Sequence, residues 1–236
     1  MKLLIDIGNS RIKFALADAQ GIAGVTALAH QNLTLPAQAQ LDGLQLDGIW
    51  LASVLSEAQT HKLLAAFPDV PVHAARVQRV CAGLKVAYAQ PERLGVDRWL
   101  AMLGLWCELQ ADFHVASAGT ALTFDAVDRR GQHLGGLIAA GLTTHQKAVL
   151  GATAFSSGDA PDLDRPELGR DTEHCVAQGA LHASLGLIDR AVAAASGRAY
   201  ISGGDAAVLR PHLHGHWSHR PNAVLQGLLA YASLAH

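Results

Sequence analysis

The chain has 236 residues, half of them hydrophobic and 16% charged, with a formal charge of −2 and a mean hydropathy of +0.19. This composition suits a folded globular protein with chain enough for one large domain or two small ones, and it excludes a disordered or fibrous chain. The near-neutral balance gives no basic footprint for nucleic acid or an anionic membrane, and no run approaches the ~20 apolar residues of a membrane span.

Residues 3–16 form the first informative segment, Leu-Leu-Ile-Asp-Ile-Gly-Asn-Ser-Arg-Ile-Lys-Phe-Ala-Leu. An apolar strand runs into Asp6, turns at Gly8 and leaves as a second, alternating strand. Backbone N–H groups and small polar side chains in such a turn suit the phosphates of a nucleotide, and Asp6 is a carboxylate placed for Mg²⁺. No helix follows the glycine, so this is neither a P-loop nor a Rossmann turn. A strand–Gly–strand hairpin with one Asp also occurs as plain structure, and the motif alone leaves both readings open.

A turn at Ala19-Gln20-Gly21 leads to a third strand near Gly24–Leu28, and a buried strand follows at Gly48–Val54. Ser56–Phe67 reads as a helix capped by Ser56, and Val70–Ala74 as a strand. Helical spacing of Val96, Trp99, Leu100, Leu103 and Cys107 predicts a helix starting near Gly95-Val96, with Asp97 and Arg98 in its first turn. Asp97 there complements the helix dipole, whereas Arg98 opposes it. The pair suits an anionic substrate bearing a hydroxyl: Arg98 for the carboxylate, Asp97 for the proton. A purely structural role for both stays open on these residues alone.

The second half repeats the first. Val115-Ala-Ser117-Ala-Gly119-Thr120-Ala121 matches the Leu4–Ser10 segment and is again followed by an alternating strand. Its glycine lies about half the chain length from Gly8, a sign of duplication. A turn at Arg129-Arg130-Gly131, a strand near His133–Ala139 and a helical stretch to about Thr153 complete a second β-β-β-α-β series. Residues 156–172 read as a surface loop, Ala177–Ala195 and Ala223–Leu234 as helices, and Ala199–Ser202 as a strand entering Gly203-Gly204. The fold class is therefore α/β, with halves at 1–111 and 112–236 and a ligand cleft expected between them.

Other signals carry less. Cys81, Cys107 and Cys175 form no CxxC pair, which suits a reducing cytoplasm. The N-terminal apolar run is too short for a signal peptide. His212, His214, His216 and His219 alternate as metal ligands can, but solvated histidines on a strand or loop are the simpler reading. Trp99 and Trp106 read as core.

In order, Asp6-Ile-Gly-Asn-Ser, Gly95-Val-Asp97-Arg98-Trp99, Gly119-Thr120-Ala121, Gly135-Gly136-Leu-Ile-Ala-Ala-Gly141, Asp171-Thr172 and Ser202-Gly203-Gly204-Asp205 resemble the type III pantothenate kinases over essentially the whole chain. The resemblance implies two ribonuclease-H-like halves of the acetate and sugar kinase/Hsc70/actin superfamily with ATP in the cleft. It implies phosphorylation of pantothenate at its primary hydroxyl, the first step toward coenzyme A, by a cytoplasmic homodimer that engages neither membrane nor nucleic acid. By position, Asp6, Ile7, Gly8, Asn9, Ser10, Arg11, Ile12 and Lys13 match the first ATP-binding segment, with Asp6 on Mg²⁺. Thr120, Gly203 and Gly204 match further ATP contacts, the glycines leaving room for the adenosine. Asp97 matches the proton acceptor, and Tyr88, Gly95, Val96, Asp97, Arg98 and Thr172 match the pantothenate contacts.

Three departures stand out. Ser117 replaces the Asp that helps relatives hold a monovalent cation, K⁺ or NH₄⁺, so weaker dependence on that cation is expected. Ala140 replaces a Pro, which is expected to relax its loop. Asp171 stands where Asn is common. Another phosphotransferase or ATPase of the superfamily, and a non-catalytic nucleotide-binding regulator, are the rival readings.

Overall fold

A computed structural model describes residues 1–29, 45–65, 67–152, 163–194 and 196–234. It divides into two units: residues 1–109 with 223–236, and residues 110–222.

In the first unit, β1 (Lys2–Ile7), β2 (Arg11–Asp18), β3 (Gly21–Ala29), β4 (Gly48–Ser53) and β5 (Val72–Ala74) form one sheet in the order β3-β2-β1-β4-β5. β1 pairs antiparallel with β2 and parallel with β4. As a central strand it is covered on both faces, which explains its unbroken apolar run rather than an alternation: Leu3, Leu4 and Ile5 are all buried. Helix α1 (Glu57–Leu64) starts in a capping box. The Gln59 N–H donates to the Ser56 side chain, and the Ser56 N–H donates back to the Gln59 side chain.

Next come two features that the sequence reading lacked. β6 (Val80–Cys81) and β7 (Leu84–Lys85) make a small separate hairpin, and a 3₁₀ turn spans Pro91–Arg93. Helix α2 (Val96–Leu109) begins where its spacing predicts, and it buries Trp99, Leu100, Met102, Leu103 and Trp106 as core. Cys107, expected on that face, is exposed.

The second unit repeats the sheet strand for strand. β8 (Phe113–Ala118), β9 (Ala121–Val127), β10 (His133–Ala140), β11 (Arg198–Ser202) and β12 (Trp217–His219) lie in the order β10-β9-β8-β11-β12. The antiparallel and parallel pairings match those of the first sheet. Helix α3 is Leu142–Gly151 and α4 is Thr172–Val192. A short helix α5 (Ala206–Leu209) precedes a 3₁₀ turn at Arg210–His212. Ala116, Phe124, Leu181, Ile188 and Ile201 form the centre of this unit's core. His133 and Asp125, both buried, pair at 3.0 Å across β9 and β10.

Several expectations need correcting. The sequence division placed 223–236 with the second half, but helix α6 (Ala223–Leu234) belongs to the first unit. Its buried face carries Ala223, Leu225, Gly227 and Leu228, and it lies on α2, with Tyr231 edge-on to Trp99 at 5.6 Å. Helix α4 starts at Thr172 rather than Ala177, because the Asp171 side chain accepts the His174 N–H at 2.8 Å and caps the helix. The expected loop over 156–172 lies outside the described residues up to 162, as do Thr153 and Ala195. Ala140, expected in a loop, is the last residue of β10 and pairs with Ala121. Among the described residues, no helix is long and apolar enough to cross a membrane.

Candidate functional site

Asp6 is the penultimate residue of β1 and lies directly across from Lys13 on β2. The turn between the strands closes with the Gly8 N–H donating to the Arg11 carbonyl at 3.0 Å. Ile7 and Ile12 bury their side chains in the core, so they offer the turn only backbone. Asn9, Ser10 and Arg11 are exposed. The residue Asp6 keeps an accessible edge, but its carboxyl group sits deep. Burial, then the nearby charge of Asp97, pushes its pKa up to about 7, against the pull of Lys13. Burial in turn lowers the pKa of Lys13, with Asp6 acting in the opposite direction.

Asp97 and Arg98 open α2 as expected. The Trp99 N–H donates to the Gly95 carbonyl at 3.0 Å and closes the first turn. The Asp97 Oδ1 accepts the Arg98 N–H at 2.9 Å. A Cβ on Gly95 would sit 2.6 Å from that same Oδ1, so glycine here leaves space for the carboxylate. Arg98 is buried despite its charge, and its Nη1 donates to the Tyr88 hydroxyl at 3.1 Å. Val96 is half-buried beside them. Tyr88, Gly95, Val96, Asp97 and Arg98 thus gather at one end of α2, and the charge of Asp97 acts on Asp6 of the same unit.

In the second unit, Ser117 occupies on β8 the place that Asp6 holds on β1. Its neighbours across the sheet are Thr123 on β9 and Ser202 on β11. Lys13–Asp6–Ala52 in the first sheet is therefore matched by Thr123–Ser117–Ser202, a row of hydroxyls with no charge. The following turn is held firmly. The Gly119 N–H donates to the Ala121 carbonyl at 3.1 Å, while the Thr120 carbonyl accepts from the Gly141 N–H at 3.1 Å and the Thr144 hydroxyl at 2.6 Å. The Thr120 side chain is exposed.

Gly203 follows β11 in a left-handed conformation (φ +97), and a Cβ there would strike the Ala118 carbonyl. Its glycine is therefore required by the protein's own backbone, not only by a ligand as expected from the sequence. The Asp205 N–H also donates to the Ala118 carbonyl, at 3.1 Å. Gly204 is exposed beside it, and Thr172 lies in the first turn of α4. The histidine cluster does not converge. His214, His216 and His219 are exposed, and His214 pairs with Asp189 at 2.8 Å. Among the described residues, no group of three His, Cys, Asp or Glu could hold a metal ion.

Sequence reasoning missed three supports. The Trp106 Nε1–H donates to the Ala82 carbonyl at 2.9 Å, and Arg79 Nη2 donates to the Ala89 carbonyl at 2.7 Å. Gly141 was noted only as part of a motif, whereas its N–H locks the Thr120 turn. One local signal for the small hairpin was present: Ala82-Gly83 between apolar flanks.

Comparisons with known proteins identify the family. A sequence model of the family described as "Type III pantothenate kinase" matches residues 2–194. A type III pantothenate kinase of Chromobacterium violaceum is 36% identical, with 99% of this chain and all of the relative covered. One from Xanthomonas oryzae pv. oryzae is 37% identical, with 98% and 97% covered. Among solved structures, a protein described as a Baf family transcriptional activator from Campylobacter jejuni superposes with a TM-score of 0.62 at 20% identity, covering 98% of this chain and 97% of that one. The activator of the 2-hydroxyisocaproyl-CoA dehydratase from Clostridium difficile, solved with bound ADPNP, gives a TM-score of 0.56 at 10% identity, covering 99% and 95%. These two likenesses concern the duplicated fold alone. The chain belongs to the type III pantothenate kinase family and is an ATP-dependent kinase that phosphorylates pantothenate in coenzyme A biosynthesis.

Proposed function

We propose that Asp97 accepts the proton of the pantothenate primary hydroxyl as its oxygen attacks the γ-phosphorus of ATP. The bond to the β,γ-bridging oxygen breaks, ADP leaves and 4′-phosphopantothenate forms. The transition state is loose, so a weak carboxylate base is sufficient, and positioning supplies most of the rate. Arg98 binds the pantothenate carboxylate, and Tyr88, Gly95, Val96 and Thr172 are further pantothenate contacts. The Asp6–Lys13 hairpin turn binds ATP phosphates, and Thr120, Gly203 and Gly204 are further ATP contacts. The observation that carries this reading is Asp97 and Arg98 side by side in the first turn of α2, with Gly95 leaving room for the carboxylate.

Mg²⁺ fits the first unit. Burial, then the charge of Asp97, pushes the pKa of Asp6 up to about 7, and a divalent cation would stabilise the charged carboxylate. When bound, Mg²⁺ neutralises charge developing on the phosphates. Residue Asp6 would hold it, directly or through water. A carboxylate-held monovalent cation does not fit the second unit, where Ser117, Thr123 and Ser202 offer hydroxyls only. No step is assigned to K⁺. The family reading supports a homodimer, and three free cysteines support a cytoplasmic setting.

Asp97→Asn keeps the shape and removes the base. It lowers kcat about 10²–10⁴-fold with both KM values within about threefold, measured as 4′-phosphopantothenate formed. Near-wild-type turnover removes Asp97 from this role.

A further inference from the structure

Arg79 lies outside every motif, yet it sits in a closed frame around the start of α2. The segment from Ala75 to Leu94 leaves the first sheet, makes the β6–β7 hairpin and returns to α2. Its turn, Ala82-Gly83, has both residues in the left-handed region (φ 48 and φ 90). Such a turn suits a two-residue hairpin, at some cost for the non-glycine Ala82. Trp106, from the third turn of α2, holds it through its bond to the Ala82 carbonyl at 2.9 Å. Cys81, Leu84 and Val86 are buried, and the Val86 N–H donates to the Arg79 carbonyl at 2.9 Å. Beyond Val86 the chain turns outward through residues 87–90, with Ala87, Ala89 and Gln90 exposed. Arg79 crosses that stretch and donates from Nη2 to the Ala89 carbonyl at 2.7 Å. The adjacent residue is Tyr88, whose hydroxyl accepts from Arg98.

We infer that Arg79 is a positioning residue for substrate recognition: by clamping the Ala89 carbonyl it fixes Tyr88, and through Tyr88 it sets the orientation of the Arg98 guanidinium. This rests on the reading that Arg98 binds the pantothenate carboxylate. A guanidinium meets a carboxylate by two parallel bonds only in a narrow range of orientations, so a loosened Tyr88 costs affinity. Arg79 touches neither ATP-binding turn nor Asp97 through any of these bonds, so phosphoryl transfer and ATP binding are insensitive to it.

The test is steady-state kinetics on the full chain with Arg79→Ala, Arg79→Lys, Tyr88→Phe, Arg98→Ala and the Arg79→Ala/Tyr88→Phe double variant. Arg79→Ala raises the pantothenate KM about tenfold, the scale of one lost charge-assisted bond, while kcat, ATP KM and Tm stay close to wild type. Arg79→Lys, which keeps one donor, recovers part of the loss. In the Tyr88→Phe background, Arg79→Ala adds less than about twofold, because both act through one contact. An unchanged pantothenate KM in Arg79→Ala, effects that multiply in the double variant, or a fall in Tm that tracks the kinetic loss each overturn the inference. Arg98→Ala separates the two levels. If it weakens pantothenate while Arg79→Ala does nothing, only the inference fails; if it leaves pantothenate KM unchanged, the carboxylate role fails and the inference with it.

Discussion

Asp6 and Ser117 stand at the same place on duplicate strands, and they differ in charge. Asp6 faces Lys13, and burial, then Asp97, raises the pKa of its carboxyl. Ser117 faces Thr123 and Ser202, so its row carries no charge. A hydroxyl is a neutral oxygen ligand, so this row offers a K⁺ ion no carboxylate charge to offset its lost hydration. Replacing K⁺ by tetramethylammonium at constant ionic strength therefore changes kcat/KM by less than about threefold, well under 1 kcal/mol. Ser117→Asp gains saturable activation by K⁺. A wild-type enzyme that loses more than about tenfold without K⁺ contradicts this, and shows that hydroxyls and backbone carbonyls alone make the site.

Helix α6 shows how an element far along the chain supports the helix that carries Asp97. Gly227 packs onto the backbone of α2, where a Cβ would strike the Leu100 carbonyl, and a Cβ on Gly104 would lie 2.8 Å from the Gly227 nitrogen. Backbone cannot yield as a side chain can. Gly227→Ala costs about 1–3 kcal/mol and lowers Tm by about 2–10 °C, read by circular dichroism. Gly186→Ala, on α4 with open space at its Cβ, is neutral or slightly stabilising. Equal effects of the two would show that the α2–α6 approach is not close-packed. The sequence made much of this unit legible: the apolar run of Leu3–Ile7, the Ser56 cap and the spacing from Val96 each declare their element locally. The return of α6 to α2 is not local, because an apolar helix with small residues fits either half equally well. Arg79 and Trp106 were illegible for the same reason: each bonds to a carbonyl of a residue whose type carries no information. At Gly203 a glycine was visible but its cause was not, since the Ala118 carbonyl meets it only in the folded sheet.

At the scale of the molecule, one buried group in each unit opposes the other in its dependence on pH. Asp6 in the first unit has a folded pKa raised to about 7, chiefly by burial, above its unfolded value near 3.8. The folded state binds the proton more tightly, so this group's stabilisation is full below about pH 4 and is lost as pH rises through 7. His114 in the second unit does the reverse. It is 1% exposed and it stacks on Phe124. Burial lowers its pKa below 6.5, with the Gly197 backbone and Asp112 offsetting part of that. The unfolded chain takes up this proton first, so His114 favours folding above pH 6.5 and the advantage fades as pH falls toward its folded pKa. The slope is at most about 1.4 kcal/mol per pH unit for one proton. Thermal unfolding of the metal-free protein from pH 7.5 to 5 separates the two. His114→Phe keeps the stacked ring, removes the titration and makes the protein less sensitive to acid than wild type. Asp6→Asn removes the opposing gain and makes it more sensitive. Parallel pH profiles for wild type and His114→Phe would mean that water or a shifted backbone reaches that ring, and that the second unit does not limit the protein's stability in acid.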